Sequence, residues 1–276
     1  MADGASRTMV GSFSSIVAAP PSGRATAVVI DHERYAQKVM LQGKPIPWSD
    51  PVRYAQFMGQ AQSLLRPDVT LLDLGAFYDF TLENDRAFAT SLATRSRIGF
   101  ALKTLLGETK VAGRAVELAT VVAQTSRTSL VLTIPSPIVW LAKTHIAAGL
   151  GSVAALEPEH AENAAMYVAD WLRRFAALPL AMVVLDERWT GLAWTFSVED
   201  AAYVPVTNVV EHYRWNVGRR TEAGIRTLGS ELHGASVPPR FWLSDDEPVP
   251  PGDFLVAEIP ADAVPELVLE RLGTLK

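Results

Sequence analysis

Stretches of consecutive apolar residues recur along the chain, separated by segments with helical spacing. Residues 25–30 run into Asp31, residues 69–72 into Asp73, residues 129–134 into Pro135-Ser136-Pro137, and residues 181–185 into Asp186-Glu187-Arg188-Trp189. Short, β-branched, continuously apolar runs of this kind predict strands covered on both faces, as in parallel sheets. Between them, Tyr35, Val39 and Met40 recur at helical spacing before Gly43. Tyr54, Phe57, Met58, Ala61, Leu64 and Leu65 follow the Asp50-Pro51 start signal and stop before Pro67. Thr81 is expected to cap a long helical stretch closed by Gly107, with a further helix over 114–124. Helices from Pro137 to about residue 148 and from Pro158 to before Pro179 complete this half.

Beyond Trp189 the pattern is less regular. Residues 191–196 read as a strand, which would form a hairpin with the preceding one across Trp189-Thr190-Gly191. Residues 204–217 read as either helix or strand. Short strands are expected at 240–244 and 254–259, separated by the turn-rich segment 245–253. A final helix capped by Asp262 would carry Val264, Leu267, Val268, Leu272 and Leu275 as its apolar stripe. About eight strands joined by helical connections predict an α/β fold: a (β/α)8 TIM-type barrel, truncated or distorted, with a doubly wound open sheet as the alternative. Residues 1–22 read as a flexible N-terminal leader and 23–276 as a single α/β domain.

Composition narrows the chemistry. The chain has 276 residues, 49% hydrophobic, with a formal charge of −5 and no cysteine. An apolar fraction of that size supports a full core. The lack of cysteine removes disulfides, thiolate nucleophiles and Cys-zinc sites. An acidic balance disfavours nucleic-acid binding. The apolar run over 130–141 is broken by Pro135 and Pro137 and is short of a bilayer span, so the expectation is a cytoplasmic protein with no membrane partner.

Leu-Val-Leu-Thr-Ile-Pro-Ser-Pro (130–137) and Leu-Ala-Met-Val-Val-Leu-Asp-Glu (180–187) resemble strand ends in the uroporphyrinogen decarboxylase and cobalamin-independent methionine synthase superfamily. The resemblance implies a (β/α)8 barrel. Two departures limit it: the zinc-thiol chemistry of methionine-synthase-like members lacks any cysteine ligand here, and the Arg-rich N-terminal signature of the decarboxylases is missing around residues 25–43.

In a parallel α/β fold, functional groups gather at the carboxyl ends of strands. The strand-end candidates are Asp31-His32, Asp73 followed by Tyr78, Ser136, Asp186-Glu187-Arg188 and Asp245-Asp246. Asp186 or Glu187 is the expected proton-transfer residue, because a carboxyl after an apolar strand is open to a raised pKa. His32 or His212 would be its partner, with Asp73 an orienting acid. Arg188, Tyr78, Ser136, Trp189 and Trp215 are the expected substrate-binding residues. The competing bland readings make Asp31 a helix cap and pair Glu187 with Arg188 on the surface; residues 211–215 with Arg219 and Arg220 read either as a pocket wall whose arginines recognise a carboxylate or phosphate, or as an amphipathic helix with a solvated basic edge.

Gly149-Leu-Gly151-Ser-Val-Ala154 has the letters of a dinucleotide fingerprint but follows a helix, so it is set aside. The five histidines form no short metal motif. No cofactor is expected, with a metal assembled from distant residues left open. The sequence thus points to an enzyme acting on a small, partly apolar organic substrate by acid–base and electrostatic catalysis: a lyase, decarboxylase or group-transfer enzyme. The alternative is a non-catalytic small-molecule-binding or accessory protein on a methionine-synthase-like barrel. A homo-oligomer is left open.

Overall fold

A computed structural model describes residues 12–189, 197–243 and 247–275. Its eight strands are β1 (Ala27–Asp31), β2 (Thr70–Asp73), β3 (Leu130–Pro135), β4 (Leu180–Asp186), β5 (Asn216–Thr221), β6 (Gly224–Leu228), β7 (His233–Val237) and β8 (Phe254–Glu258). They form one sheet in the order β1-β8-β7-β6-β5-β4-β3-β2. β6 is antiparallel to β5 and β7, and the other paired neighbours are parallel. The first and last strands of that order come together where the Asp68 amide donates to the Val28 carbonyl at 3.1 Å. The fold is therefore an α/β, nearly closed, mostly parallel, TIM-like barrel. The departure from (β/α)8 is local: two tight hairpins through β6 replace helical crossovers between β5 and β7.

The alternation of side chains along each strand sorts residues into an interior and an outer layer. Val29, Leu71, Val131, Met182, Val184, Phe254 and Val256 share one apolar cluster inside the barrel. Their neighbours Val28, Ile30, Leu255 and Ala257 pack outward under the helices Pro239–Leu243 and Pro265–Thr274. Leu72, Leu132, Val183 and Leu185 pack outward against the larger helical layer. The amino end of the barrel is closed by part of the expected leader: residues Phe13–Ala18 form a helix whose Phe13 and Ile16 enter the interior cluster. Phe13 meets the Phe254 ring edge-on at 5.0 Å.

Several local expectations change. Asp73 caps a helix that starts directly at the end of β2, Leu74–Asn84, through a 3.0 Å bond from the Ala76 amide. Thr81 is thus inside that helix, donating to the Phe77 carbonyl at 2.9 Å, and is no cap. The expected strand at 240–244 is instead the short helix Pro239–Leu243, because Pro239 suits a first helical turn. Asp262 does not cap the last helix, which starts at Pro265 behind Val264. Residues 204–217 divide into a helix, Val204–His212, and the start of β5, with Arg214 in the left-handed region at φ 60° between them. The expected strand at 191–196, and with it the hairpin from Trp189, lies outside the described residues.

Candidate active site

At the carboxyl ends of the strands, the inward positions change from apolar to charged. Two residues beyond Val29 is Asp31; beyond Leu71, Asp73; beyond Val184, Asp186; beyond Val256, Glu258; and beyond Gly218, Arg220. Register places Asp31 beside Glu258 and Asp186 beside Arg220. Asp31, Asp73, Asp186 and Glu258 line a cavity of about 230 Å³ at the barrel mouth together with Arg188, Glu33, Arg34, Thr133, Asp79 and Lys143, with Ile134, Pro135, Val139 and Ile259 as its apolar wall; Arg220 is buried and does not line it.

Most of these carboxylates are ion-paired. Arg220, only 3% exposed, contacts Asp31 at 2.8 Å and Glu258 at 3.0 Å, and lies 4.0 Å from Asp186. Arg188 grips Asp186 with Nε at 3.0 Å and Nη2 at 2.8 Å, and reaches Glu258 with Nη1. Lys143, on the helix after β3, pairs with Asp79. Burial alone would raise Asp31, but the charge and hydrogen bond of Arg220, joined by Arg188 and His32, hold its carboxyl below the usual range.

Asp73 and Glu33 differ. Neither has an ion-pair partner among the described residues; Asp73 accepts from the Ala76 amide and Glu33 from the Tyr54 hydroxyl, each at 3.0 Å. Burial pushes the Asp73 carboxyl up to about 7, against the Ala76 bond and with the negative charges of Asp31, Asp186 and Asp79 adding to it. Burial also pushes Glu33 well above its ordinary range, with the charges of Asp73 and Asp31 reinforcing the effect. Thr133, 3% exposed on β3, lines the same cavity with its hydroxyl unpartnered among the described residues.

The other sequence candidates are elsewhere. Glu187, one residue on from Asp186, points outward and pairs with Arg219, whose Nη2 is 2.7 Å away and which also holds Asp200. His32 is buried at the start of the helix Glu33–Met40, with Nδ1 3.2 Å from the Ile30 carbonyl, and does not line the cavity. Burial lowers its pKa, which keeps the ring neutral at pH 7. Tyr78 is packed in the helical layer, where its hydroxyl accepts from Trp171 Nε1 at 2.7 Å. Ser136 is fully buried and outside the cavity lining. Trp189 packs against the outer core. His212 ends a helix that leads into the amino end of β5, and Trp215 immediately precedes that strand. Both are therefore at the opposite end of the barrel from the mouth, which removes His212 as a partner for the mouth acids. Asp245 and Asp246 lie outside the described residues.

Glu33, Asp79, Thr133, Lys143 and Glu258 line the site without having been singled out; Arg220 is buried among the mouth acids and is not on a solvated face. Parity along the last strand was the available signal: Phe254, Val256 and Glu258 are two apart, so the acid must share the inward face.

Among the described residues, no group of three or more His, Asp or Glu side chains is arranged to hold a metal ion. No described helix is long and apolar enough to cross a membrane. No family model, curated protein or solved structure matches the chain.

Proposed function

We propose that the protein is an enzyme acting on a small, mainly polar organic molecule by acid–base and electrostatic catalysis at the barrel mouth. The observation that carries this reading is Asp73: an inward carboxyl without an ion-pair partner among the described residues, poised near pH 7 in a mouth where Asp31, Asp79, Asp186 and Glu258 are all ion-paired. A general base or acid is most effective when its pKa lies near the working pH. Asp73 therefore takes the proton-transfer role first expected of Asp186 or Glu187. Asp186, locked by Arg188, acts as an electrostatic and orienting group.

Lyase or group-transfer chemistry suits this set, because it needs a proton moved and charge stabilised while the substrate is held. The barrel and its strand-end acids are compatible with a distant place in the uroporphyrinogen decarboxylase and methionine synthase superfamily, and this remains part of the proposal.

The test is to incubate the purified protein in D2O with a mixture of small metabolites and follow the mixture by 1H NMR. Conversion or solvent-deuterium incorporation at one compound is expected, reduced at least ~100-fold by Asp73→Asn, in line with the typical contribution of a positioned acid–base group. Conversion that is undiminished in D73N, or no conversion of any compound, would contradict the proposal.

A further inference from the structure

The charge pattern of the mouth also points to what it holds. Three carboxylates, Asp31, Asp186 and Glu258, share two guanidinium groups, and Asp79 has Lys143. These four carboxylates face three cations, so the set is still one positive charge short. Asp73 and Glu33 line the same cavity and, among the described residues, have no ion-pair partner; each accepts one hydrogen bond, from a backbone amide and from Tyr54 respectively. A partly buried carboxylate short of counter-charge is costly, and an incoming cation relieves that cost where a neutral or anionic molecule cannot.

A second feature marks the same place as a ligand position. The Thr133 hydroxyl is buried at the cavity wall and satisfied by no described group. Buried hydroxyls without a partner are rare unless a ligand or water completes them. The cavity, about 230 Å³, is smaller than the ~300–1,000 Å³ usual for drug-sized ligands.

We infer that the mouth binds a small organic cation, a protonated amine with an adjacent hydroxyl, its ammonium seated between Asp73 and Glu33 and its hydroxyl on Thr133. The inference rests on the mouth being the substrate site proposed above, and names the substrate class. An ammonium offers three donors, so it can bond both carboxylates at once. Arg34 at the rim and the paired Arg188 repel a second positive charge, which favours a monocation over a polyamine.

Ethanolamine is the probe, with ethylene glycol as its neutral analogue and glycolate as its anionic one. Each is titrated at pH 8 into protein carrying 13C-labelled Asp and Glu carboxyls, and the carboxyl signals are followed. Saturable shifts of the Asp73 and Glu33 signals are expected with ethanolamine, with affinity at least tenfold above that for ethylene glycol, a difference of about 1.4 kcal/mol. Glycolate is expected to produce none. Thr133→Val is expected to weaken ethanolamine binding and leave methylammonium binding unchanged.

No saturable shift with ethanolamine, or glycolate binding as tightly, overturns the inference. The wild-type titrations decide this even if a variant fails to fold. If metabolite conversion requires Asp73 but the compound converted is neutral or anionic, the inference fails and the catalytic reading stands. If ethanolamine binds as described but D73N leaves conversion intact, the catalytic reading fails alone.

Discussion

Asp186 and Glu187 are adjacent in sequence, yet strand parity sends the first into the mouth and the second out to Arg219. The same parity puts Arg219 outside and Arg220 inside. Arg220 is therefore the cation on which the mouth is assembled. Replacing it with methionine leaves Asp31 without its hydrogen-bonded cation and Glu258 with Arg188 alone. A broken buried pair costs about 3–5 kcal/mol; the lower end is expected here because Glu258 is half-exposed. Urea denaturation of R220M at pH 7 should show that loss. The loss should shrink in acid, because Asp31 has a lowered folded pKa: its stabilising contribution is present above its unfolded value and disappears as pH falls through the folded one.

Asp73 has the opposite sign. Its folded value of about 7 lies above the unfolded value of about 3.9, so the folded state holds a proton that the unfolded state has released between those limits. Its contribution is present below about pH 4 and is lost as pH rises through 7. D73N should therefore flatten the decline in Tm between pH 4 and 8 and exceed the wild type at pH 8. An unchanged pH profile would show that Asp73 titrates normally.

Among the elements, β5 to β7 carry the departure from a regular barrel. On β5 and β7 the inward side is cut back to glycine so that large neighbours, including Ile225 of β6, can fill the interior. A Cβ on Gly218 would come 2.4 Å from the Met182 Cε, and one on Gly234 would come 2.2 Å from the Phe254 ring. Gly234→Ala should cost about 1–3 kcal/mol by overpacking. Adding Phe254→Leu should recover part of that loss, measurable as a coupling in a double-mutant cycle.

This is also why β6 and β7 were not legible in the sequence. Gly-Ile-Arg-Thr-Leu and His-Gly-Ala-Ser-Val lack the continuous apolar run that announces β1, β3, β4 and β8. The strand-end acids Asp31, Asp73 and Asp186 were legible, because each ends such a run. Glu33 was not, since it faces the mouth from a helix, and neither was Glu258, whose importance depends on which strands become neighbours; Arg220 was legible only as one of two readings, because the pattern around it did not fix a strand. The Thr81 cap failed because Asp73 reaches the Ala76 amide and starts the helix earlier.

At the scale of the whole molecule, the mouth is concave because the sheet nearly closes. Asp68, fully buried, holds that closure: its carboxylate accepts from the Val28 and Ser22 amides, each at 2.8 Å, with Arg24 3.6 Å away. Asp68→Ala would leave those donors unsatisfied, which costs about 1–3 kcal/mol for a buried group. Faster hydrogen exchange at the Val28 amide than at core amides of β4 is the expected local signature. Below the mouth, Phe13 and Ile16 join the apolar cluster at the other end, so the charged layer rests on an apolar interior. That low-polarity support is what raises Asp73, and the Asp73 titration therefore reports on fold and function together. The decisive measurement is a 13C NMR pH titration of the Asp73 carboxyl, assigned by its loss in D73N. A midpoint near 7 is predicted; a midpoint near 4 would contradict the assignment of Asp73 as the proton-transfer group of an enclosed site.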